Sequence, residues 1–342
     1  MIHWIFRDNN WVLNFTGMKS VLSVQSHVVH GYVGGRAATF PLQYLGWDVD
    51  NINTVNFSNH TGYGQVKGSH LPESDMRALF EGLSNISCSY DAVILGYIPT
   101  PSLIKVLGEN ISVLKRKKPD LIYVCDTVMG DQGHLYVENE CVEAYKSLLK
   151  QGIVDLITPN QFELELLCGF AIDSADSLRK ALEVIHNEYD VKHVVVSSLA
   201  ATLSLCKGTD LEAIYCAVST AGDEAIRVFR IPEIKSYFTG VGDLFTALLL
   251  DKFTKNKDDL ALAVGQVLNI MSRVLKLTHS SGLQAFCRYK GIDIDAGKQI
   301  DESLVQSKIN DGSTMRFFEL RVIEARNFYD LTDVGEFELV TL

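Results

Sequence analysis

Residues 92–126, AVILGYIPTPSLIKVLGENISVLKRKKPDLIYVCD, decide the fold class. Ala92–Leu95 is a compact apolar run, and Leu121–Cys125 is a second one. Between them, Ser102–Leu114 carries apolar side chains at helical spacing. A strand, a helix and a strand in so short a stretch form the unit of a parallel sheet. Strands that are apolar throughout, without alternation, belong to a sheet covered on both faces. The basic run Lys115–Lys118 closes the helix, where cations complement the helix dipole. It reads as a solvated last turn and gives no reason to expect nucleic acid as a partner.

The same alternation runs outward in both directions. Towards the N-terminus, Val21–Gln25 reads as a strand, Gly35–Leu45 as a helix, Val49–Phe57 as an extended run and Glu73–Leu83 as a helix. Towards the C-terminus, Val142–Leu149 reads as a helix and Leu156–Thr158 as a strand. Helices at Phe162–Leu167 and Ser177–Glu188 follow, then a strand at His193–Ser197. The pattern then changes. Thr202–Cys206, Ala213–Val218 and Ala225–Ile231 are β-rich runs separated by Gly/Asp turns, which predicts an antiparallel meander at one sheet edge. Helices near Asp243–Phe253 and Leu260–Thr278 come next. The expected fold class is α/β, a largely parallel central sheet flanked by helices on both faces, with an antiparallel β edge. Residues 1–18 read as an N-terminal extension and 19–342 as a single domain. Ser280–Gly312 reads as an inserted or flexible segment with a short helix near Ser303–Ile309.

Composition narrows the function. The 342 residues are 47% hydrophobic and 21% charged, enough apolar material for a large core. A net charge of −11 disfavours nucleic acid and anionic membrane surfaces. No stretch approaches the 18 or more apolar residues of a membrane span. The seven cysteines are odd in number and form no CxxC pair, so they read as free thiols in a reducing compartment. That points to a cytoplasmic, or also nuclear, location. The expected partner is a small molecule.

The sharpest chemical signal is Thr239–Leu248, TGVGDLFTAL, two glycines ahead of an apolar helical run. A helix start offers free N–H groups and partial positive charge, and glycines let an anion approach the backbone. An acidic residue there would repel a resting anion. Asp243 makes chemical sense as a base that takes a proton from a hydroxyl attacking a phosphate. An ordinary helix cap by Asp243 is the competing reading. No G-x-x-x-x-G-K-[ST] motif is present, which excludes a P-loop protein. Asp126 and Asp131 follow one strand, and Asn160 and Glu163 follow the next. Ligands of open α/β sheets bind beyond the carboxyl ends of strands, and hard oxygen ligands suit Mg²⁺ carried with nucleotide phosphates. Asn160 with Glu163 three residues later also matches a capping box. Two polar clusters, Gln25–His27 and Asn56–Tyr63, follow apolar strands and suit a small-molecule pocket.

Together these segments resemble the pyridoxal kinases of the ribokinase-like superfamily. Ser23–Gly34, Arg36–Gln43, Phe57–Tyr63, Tyr123–Asp126, Ile157–Glu163 and the terminal Glu319–Val322 through Val340–Leu342 carry the resemblance, over about residues 19–278 and the last two dozen. It implies a ribokinase-like fold and ATP-dependent phosphorylation of pyridoxal, pyridoxine or pyridoxamine, with Asp243 as base. A kinase for a hydroxymethylpyrimidine, or a diverged binding protein, are the alternatives. Ser26, Thr61 and Tyr97 are then expected on the pyridine ring, with His60 and Val33 beside it and Tyr136 on a loop above. Gly240, Val241 and Gly242 are expected to form the anion hole, and Asn160, Ser197 and Ser198 to touch nucleotide phosphates. Ile234 and Phe238 are expected on adenine. Asp126, Asp131 and Glu163 are expected to manage Mg²⁺ or another divalent cation, with Thr158 and Ser197 near K⁺. The family is usually homodimeric. Three departures stand out: Val241 where the family reads Thr in Gly-Thr-Gly-Asp, Thr127 where it reads Pro, and a short Asp131–Tyr136 loop. Val241 keeps its N–H but lacks a hydroxyl donor, and Thr127 is expected to loosen its turn.

Overall fold

The first strand is built from the alternation it lacks at its surface. In β1 (Lys19–Val28), Leu22 and Val24 point into one core and Val21 into another, and all three are inaccessible to solvent. The computed structural model describes residues 18–131, 133–203, 205, 213–292, 307–308 and 311–342. In chain order the elements after β1 are α1 (Gly35–Tyr44), β2 (Trp47–Phe57), β3 (Gly68–His70), α2 (Glu73–Asn85), β4 (Ala92–Leu95), α3 (Pro101–Lys117) and β5 (Ile122–Cys125). A small hairpin of β6 (Gly130–Asp131) and β7 (His134–Leu135) follows. Then come α4 (Glu140–Leu149), β8 (Leu156–Ile157), α5 (Gln161–Cys168), α6 (Ala175–Tyr189), β9 (His193–Leu199), β10 (Ala213–Thr220) and β11 (Arg227–Pro232). The remainder is α7 (Val241–Lys255), α8 (Leu260–Lys290), α9 (Gly312–Met315) and β12 (Glu338–Thr341).

The main sheet has the order β12-β11-β10-β9-β8-β5-β4-β1-β2-β3. Strands β9, β8, β5, β4, β1 and β2 run parallel, while β10, β11 and β12 extend one edge antiparallel and β3 the other. One face is covered by α2 to α6 through Met76, Ile104, Ile111, Tyr145, Leu164 and Ile185. The opposite face is covered by α1, α7 and α8 through Ala37, Leu42, Leu248, Val264 and Ile270. The chain moves from β1 to β2 on one side and then returns to β4 on the other. The order therefore reverses between β1 and β4, and at such a point the strand ends splay into a cleft.

Several readings of the sequence need correction. Helix α8 does not stop near Thr278 but runs through Ser280, Ser281 and Gly282 to Lys290, ending on Gly291 at φ 66°. The stretch Ser-Ser-Gly is poor helix material. The Phe318 ring lies where a Gly282 side chain would stand, 2.6 Å from its Cβ position, so tertiary packing overrides propensity. By length and hydropathy α8 could cross a membrane, but 61% of its apolar window is buried inside the protein, as in a core helix. Thr202 and Leu203 lie in a 3₁₀ turn (Ala201–Leu203) rather than in a strand. The antiparallel edge is made by β9 to β12 instead, with β12 supplied by the C-terminal residues. The Ser303–Ile309 helix and the 1–18 extension fall outside the described residues, apart from Met18, Ser307 and Lys308, which are not helical. Among the described cysteines, all six are free thiols.

Candidate active site

A cavity of about 350 Å³ opens at the carboxyl ends of the parallel strands. Sheet order divides its walls. Ser26 and Val28 come from β1, Val55 and Phe57 from β2, and Tyr97 follows β4. Thr158 follows β8, Ser197 and Ser198 come from β9, and Ile214 from β10 on the far side. Asp126, after β5, and the first turn of α7 stand between the two groups. The geometry is a two-compartment cleft with a carboxylate and a helix N-terminus at the junction.

That helix start has no conventional cap. Gly240 occupies the cap position at φ 76° and ψ 8°, and no side chain accepts from the first turn. The first intrahelical bond is from Leu244 N–H to the Gly240 carbonyl at 3.0 Å, so the N–H groups of Val241, Gly242 and Asp243 have no helical acceptor. Gly240 is required here, because a Cβ would lie 2.0 Å from the Tyr32 carbonyl oxygen. Gly34 is required for the same reason, with a Cβ position 2.2 Å from the Ser26 carbonyl. The two glycines let α1 and α7 bring their N-termini together at one edge of the cavity.

Asp243 is not the helix cap. It sits in the third helical position and its Oδ2 accepts a hydrogen bond from Gly34 N–H at 2.7 Å, across 209 residues. Burial pushes its carboxyl above the ordinary value, opposed by that hydrogen bond. Asp126 is buried, and burial with the nearby carboxylates of Glu163 and Asp243 pushes its carboxyl up as well. Thr246 Oγ1 lies 3.5 Å from Asp126 Oδ2 and 3.0 Å from Thr158 Oγ1, a hydroxyl pair that faces the carboxylate.

Asn160 and Glu163 form the capping box anticipated from their spacing, closing the start of α5. Glu163 does more. Its Oε1 accepts from Met129 N–H at 2.9 Å and Gly130 N–H at 3.4 Å, and its Oε2 from Asn160 N–H at 2.9 Å. Asn160 Nδ2 donates to the Gly130 carbonyl at 2.8 Å. These bonds pin Met129 and Gly130, the far end of the turn that begins at Thr127. Both side chains are spent on backbone, although burial pushes the Glu163 carboxyl up to about 8. The Ser197 hydroxyl is likewise engaged, with the Pro159 carbonyl at 3.3 Å.

On the β1/β2 side, His60 Nδ1 accepts from Gly62 N–H at 3.0 Å, and burial lowers its pKa to about 4. The ring is neutral at physiological pH and carries its proton on Nε2. Tyr97 donates to the Tyr136 carbonyl at 3.3 Å and so holds the hairpin loop over the cavity. Of the residues singled out from the sequence, Ser26, Val33, His60, Thr61, Tyr97, Asp126, Asp131, Tyr136, Thr158, Asn160, Glu163, Ser197, Ser198, Phe238, Gly240, Val241, Gly242 and Asp243 all line the cavity. Ile234 does not. It lies in the connection after β11, outside the wall, which that connection reaches only from Tyr237 onward. Thr246 and Tyr237 were missed. Thr246 follows Asp243 by three residues, so helical spacing alone could have found it.

This arrangement defines a class: a phosphotransferase without a P-loop, acting on a small hydroxyl-bearing molecule. A family model described as phosphomethylpyrimidine kinase matches residues 52–283. The Saccharomyces cerevisiae protein BUD16, provisionally named a pyridoxal kinase, is 40% identical over 334 residues, 94% of this chain and 99% of its own. The Ovis aries pyridoxal kinase is 40% identical over 268 residues, 75% of this chain and 85% of its own. The solved structure of Leishmania donovani pyridoxal kinase in complex with ADP and pyridoxine matches with a TM-score of 0.78 at 30% identity, covering 95% of this chain and all of that one. The chain belongs to the pyridoxal kinase family.

Proposed function

We propose that this protein transfers the γ-phosphate of ATP to the 5′-hydroxymethyl group of pyridoxal, pyridoxine or pyridoxamine, giving the 5′-phosphate and ADP. The observation that carries the reading is Asp243, a buried carboxylate held by Gly34 N–H beside three N–H groups of α7 that have no helical acceptor. The hydroxyl oxygen attacks the γ-phosphorus, the bond from phosphorus to the β-bridging oxygen breaks, and Asp243 takes the hydroxyl proton. The α7 N–H groups stabilise charge on the transferring group. The pyridine ring belongs on the β1/β2 side, against Ser26, Thr61 and Tyr97, with neutral His60 and Val33 beside it. The nucleotide belongs towards β8 to β10, near Ser198 and Phe238.

The residues suit a divalent cation that arrives with the nucleotide. No Lys or Arg lines the cavity among the described residues, and no three Asp, Glu, His or Cys there are placed to hold a metal unaided. Asp126 and Asp131 would hold Mg²⁺ together with phosphate oxygens, and Glu163 would hold the turn behind them. The ion would neutralise phosphate charge that these carboxylates otherwise repel. Thr158 and Ser197 are the candidates for K⁺. A homodimeric, cytoplasmic enzyme is the accompanying reading, supported by the family resemblance and the free thiols.

The test is phosphoester formation by purified protein with ATP, Mg²⁺, K⁺ and pyridoxal, beside Asp243→Ala and with hydroxymethylpyrimidine as a second substrate. Product from pyridoxal that is lost in the variant supports the reading. Preference for the pyrimidine, or product undiminished in Asp243→Ala, defeats it.

A further inference from the structure

Glu319 lies outside the cavity wall and is buried, yet it touches two of the turns that shape the cavity. Its Oε2 accepts from Tyr32 N–H at 2.8 Å, across 287 residues. Its Oε1 accepts from the Tyr63 hydroxyl, across 256 residues. Gly31 passes so close that a Cβ there would lie 2.6 Å from the carboxylate, and its φ of 96° is open to glycine. Burial and the neighbouring carboxylate push the Tyr63 phenol up, so it remains a donor.

Each turn leads directly to the site. Tyr32 is two residues from Gly34, whose N–H holds Asp243. Tyr63 ends the 3₁₀ turn Thr61–Tyr63, which His60 caps. The carboxylate is itself held firmly. Phe318 and Leu320, on either side, are 1% and 0% exposed, and Arg321 N–H donates to Thr278 Oγ1 of α8 at 3.1 Å. A second contact runs beside it, where Met315 Cε lies 3.4 Å from the Gly62 Cβ position.

We propose that Glu319 is a positioning residue for phosphoryl transfer: it clasps the Gly31–Gly34 turn that orients Asp243 to the Thr61–Tyr63 turn that presents His60 and Thr61 to the acceptor. The proposal rests on the phosphotransferase reading above. It explains why Gly31 must be glycine and why a carboxylate is buried with no cationic partner bonded to it among the described residues.

The experiment compares wild type, Glu319→Ala, Glu319→Gln and Tyr63→Phe, as full-length protein. Steady-state rates are measured with pyridoxal and ATP varied separately. Amide hydrogen exchange of residues 30–35 and 58–64 is measured without ligands, together with the folded fraction at the assay temperature. Glu319→Ala should lower kcat by roughly 10- to 100-fold, the scale on which misplacing a catalytic group costs rate. It should raise KM for pyridoxal and leave KM for ATP unchanged. Exchange should quicken in both segments. Glu319→Gln, which retains an acceptor for Tyr32 N–H, should restore most of kcat. Tyr63→Phe should raise KM for pyridoxal while sparing kcat. Wild-type kinetics in Glu319→Ala, a loss that only tracks the folded fraction, or equal rises in both KM values would overturn the proposal. If Glu319→Ala does not fold, an unchanged pyridoxal KM in Tyr63→Phe overturns it. If wild type makes no phosphoester, the reaction assignment fails first, and unchanged exchange in Glu319→Ala and Tyr63→Phe then removes the clasp as well.

Discussion

Replacing Gly240 with alanine puts a methyl carbon 2.0 Å from the Tyr32 carbonyl oxygen. Carbon and oxygen approach no closer than about 3.3 Å in ordinary contacts, so the gap must open by roughly 1 Å. The obstacle is backbone on both sides, and no side chain can swing away. The residue must also hold φ at 76°, a conformation that costs alanine roughly 1–2 kcal/mol. With overpacking of roughly 1–3 kcal/mol, the stability loss is about 2–5 kcal/mol. The kinetic loss is separate. Moving α7 against the Tyr32–Gly34 turn displaces Asp243 from the Gly34 N–H, and a shift of about 1 Å costs on the order of 10²-fold in rate. The assay is initial velocity of phosphoester formation, paired with thermal unfolding. Gly82→Ala is the control: Gly82 lies inside α2 with nothing within 4 Å of its Cβ position. That variant should gain about 0.5–1 kcal/mol and keep its turnover. A folded Gly240→Ala protein whose kcat/KM stays within about threefold of wild type would refute the argument that the two glycines set the base.

Three further outcomes are expected. Val241→Thr places a hydroxyl at the anion hole with nearly unchanged shape and should raise kcat by about tenfold, less than the roughly 10²- to 10³-fold that a central donor is worth, because the N–H groups are already present; an unchanged kcat would mean that the N–H groups suffice. Because burial raises the Asp243 carboxyl, its proton is retained to higher pH, and kcat/KM should fall on acidification through a pKa above the ordinary carboxylate range. A pH profile flat down to the usual aspartate value would remove Asp243 as the base. Chelating divalent cations should abolish turnover reversibly, since no Lys or Arg lines the cavity among the described residues; activity that survives excess chelator would show that phosphate charge is neutralised in another way.

Local physics made much of this molecule legible in its sequence. The strand from Ala92 to Leu95 and the helix that follows announce themselves by apolar spacing, and Asn160 with Glu163 announces a helix start. Asp243 stood out because an acid behind two glycines at a helix start contradicts resting anion binding. What stayed hidden depends on contacts between distant residues. Nothing near Glu319 shows that it meets Tyr32 and Tyr63, and nothing near Ser280 shows that Phe318 will carry the helix past it. The further bonds of Asn160 and Glu163 to the Met129–Gly130 turn, and of Ser197 to Pro159, were equally invisible, since a polar side chain beyond a strand looks the same whether it awaits a ligand or braces a loop. The place of Ile234 was hidden for a related reason: the connection after β11 brings Phe238 to the wall and leaves Ile234 outside it.

The Glu319 clasp and the edge strand β12 both come from residues 311–342, whereas Gly34, Asp126 and Asp243 are translated earlier. On the ribosome, the sheet from β1 to β11 can therefore assemble while the turns at Tyr32 and Tyr63 still lack their tether. A product truncated before residue 311 would lose Leu320, Val322, Ala325 and Tyr329 from the core under α1, α7 and α8, together with the tether on both turns.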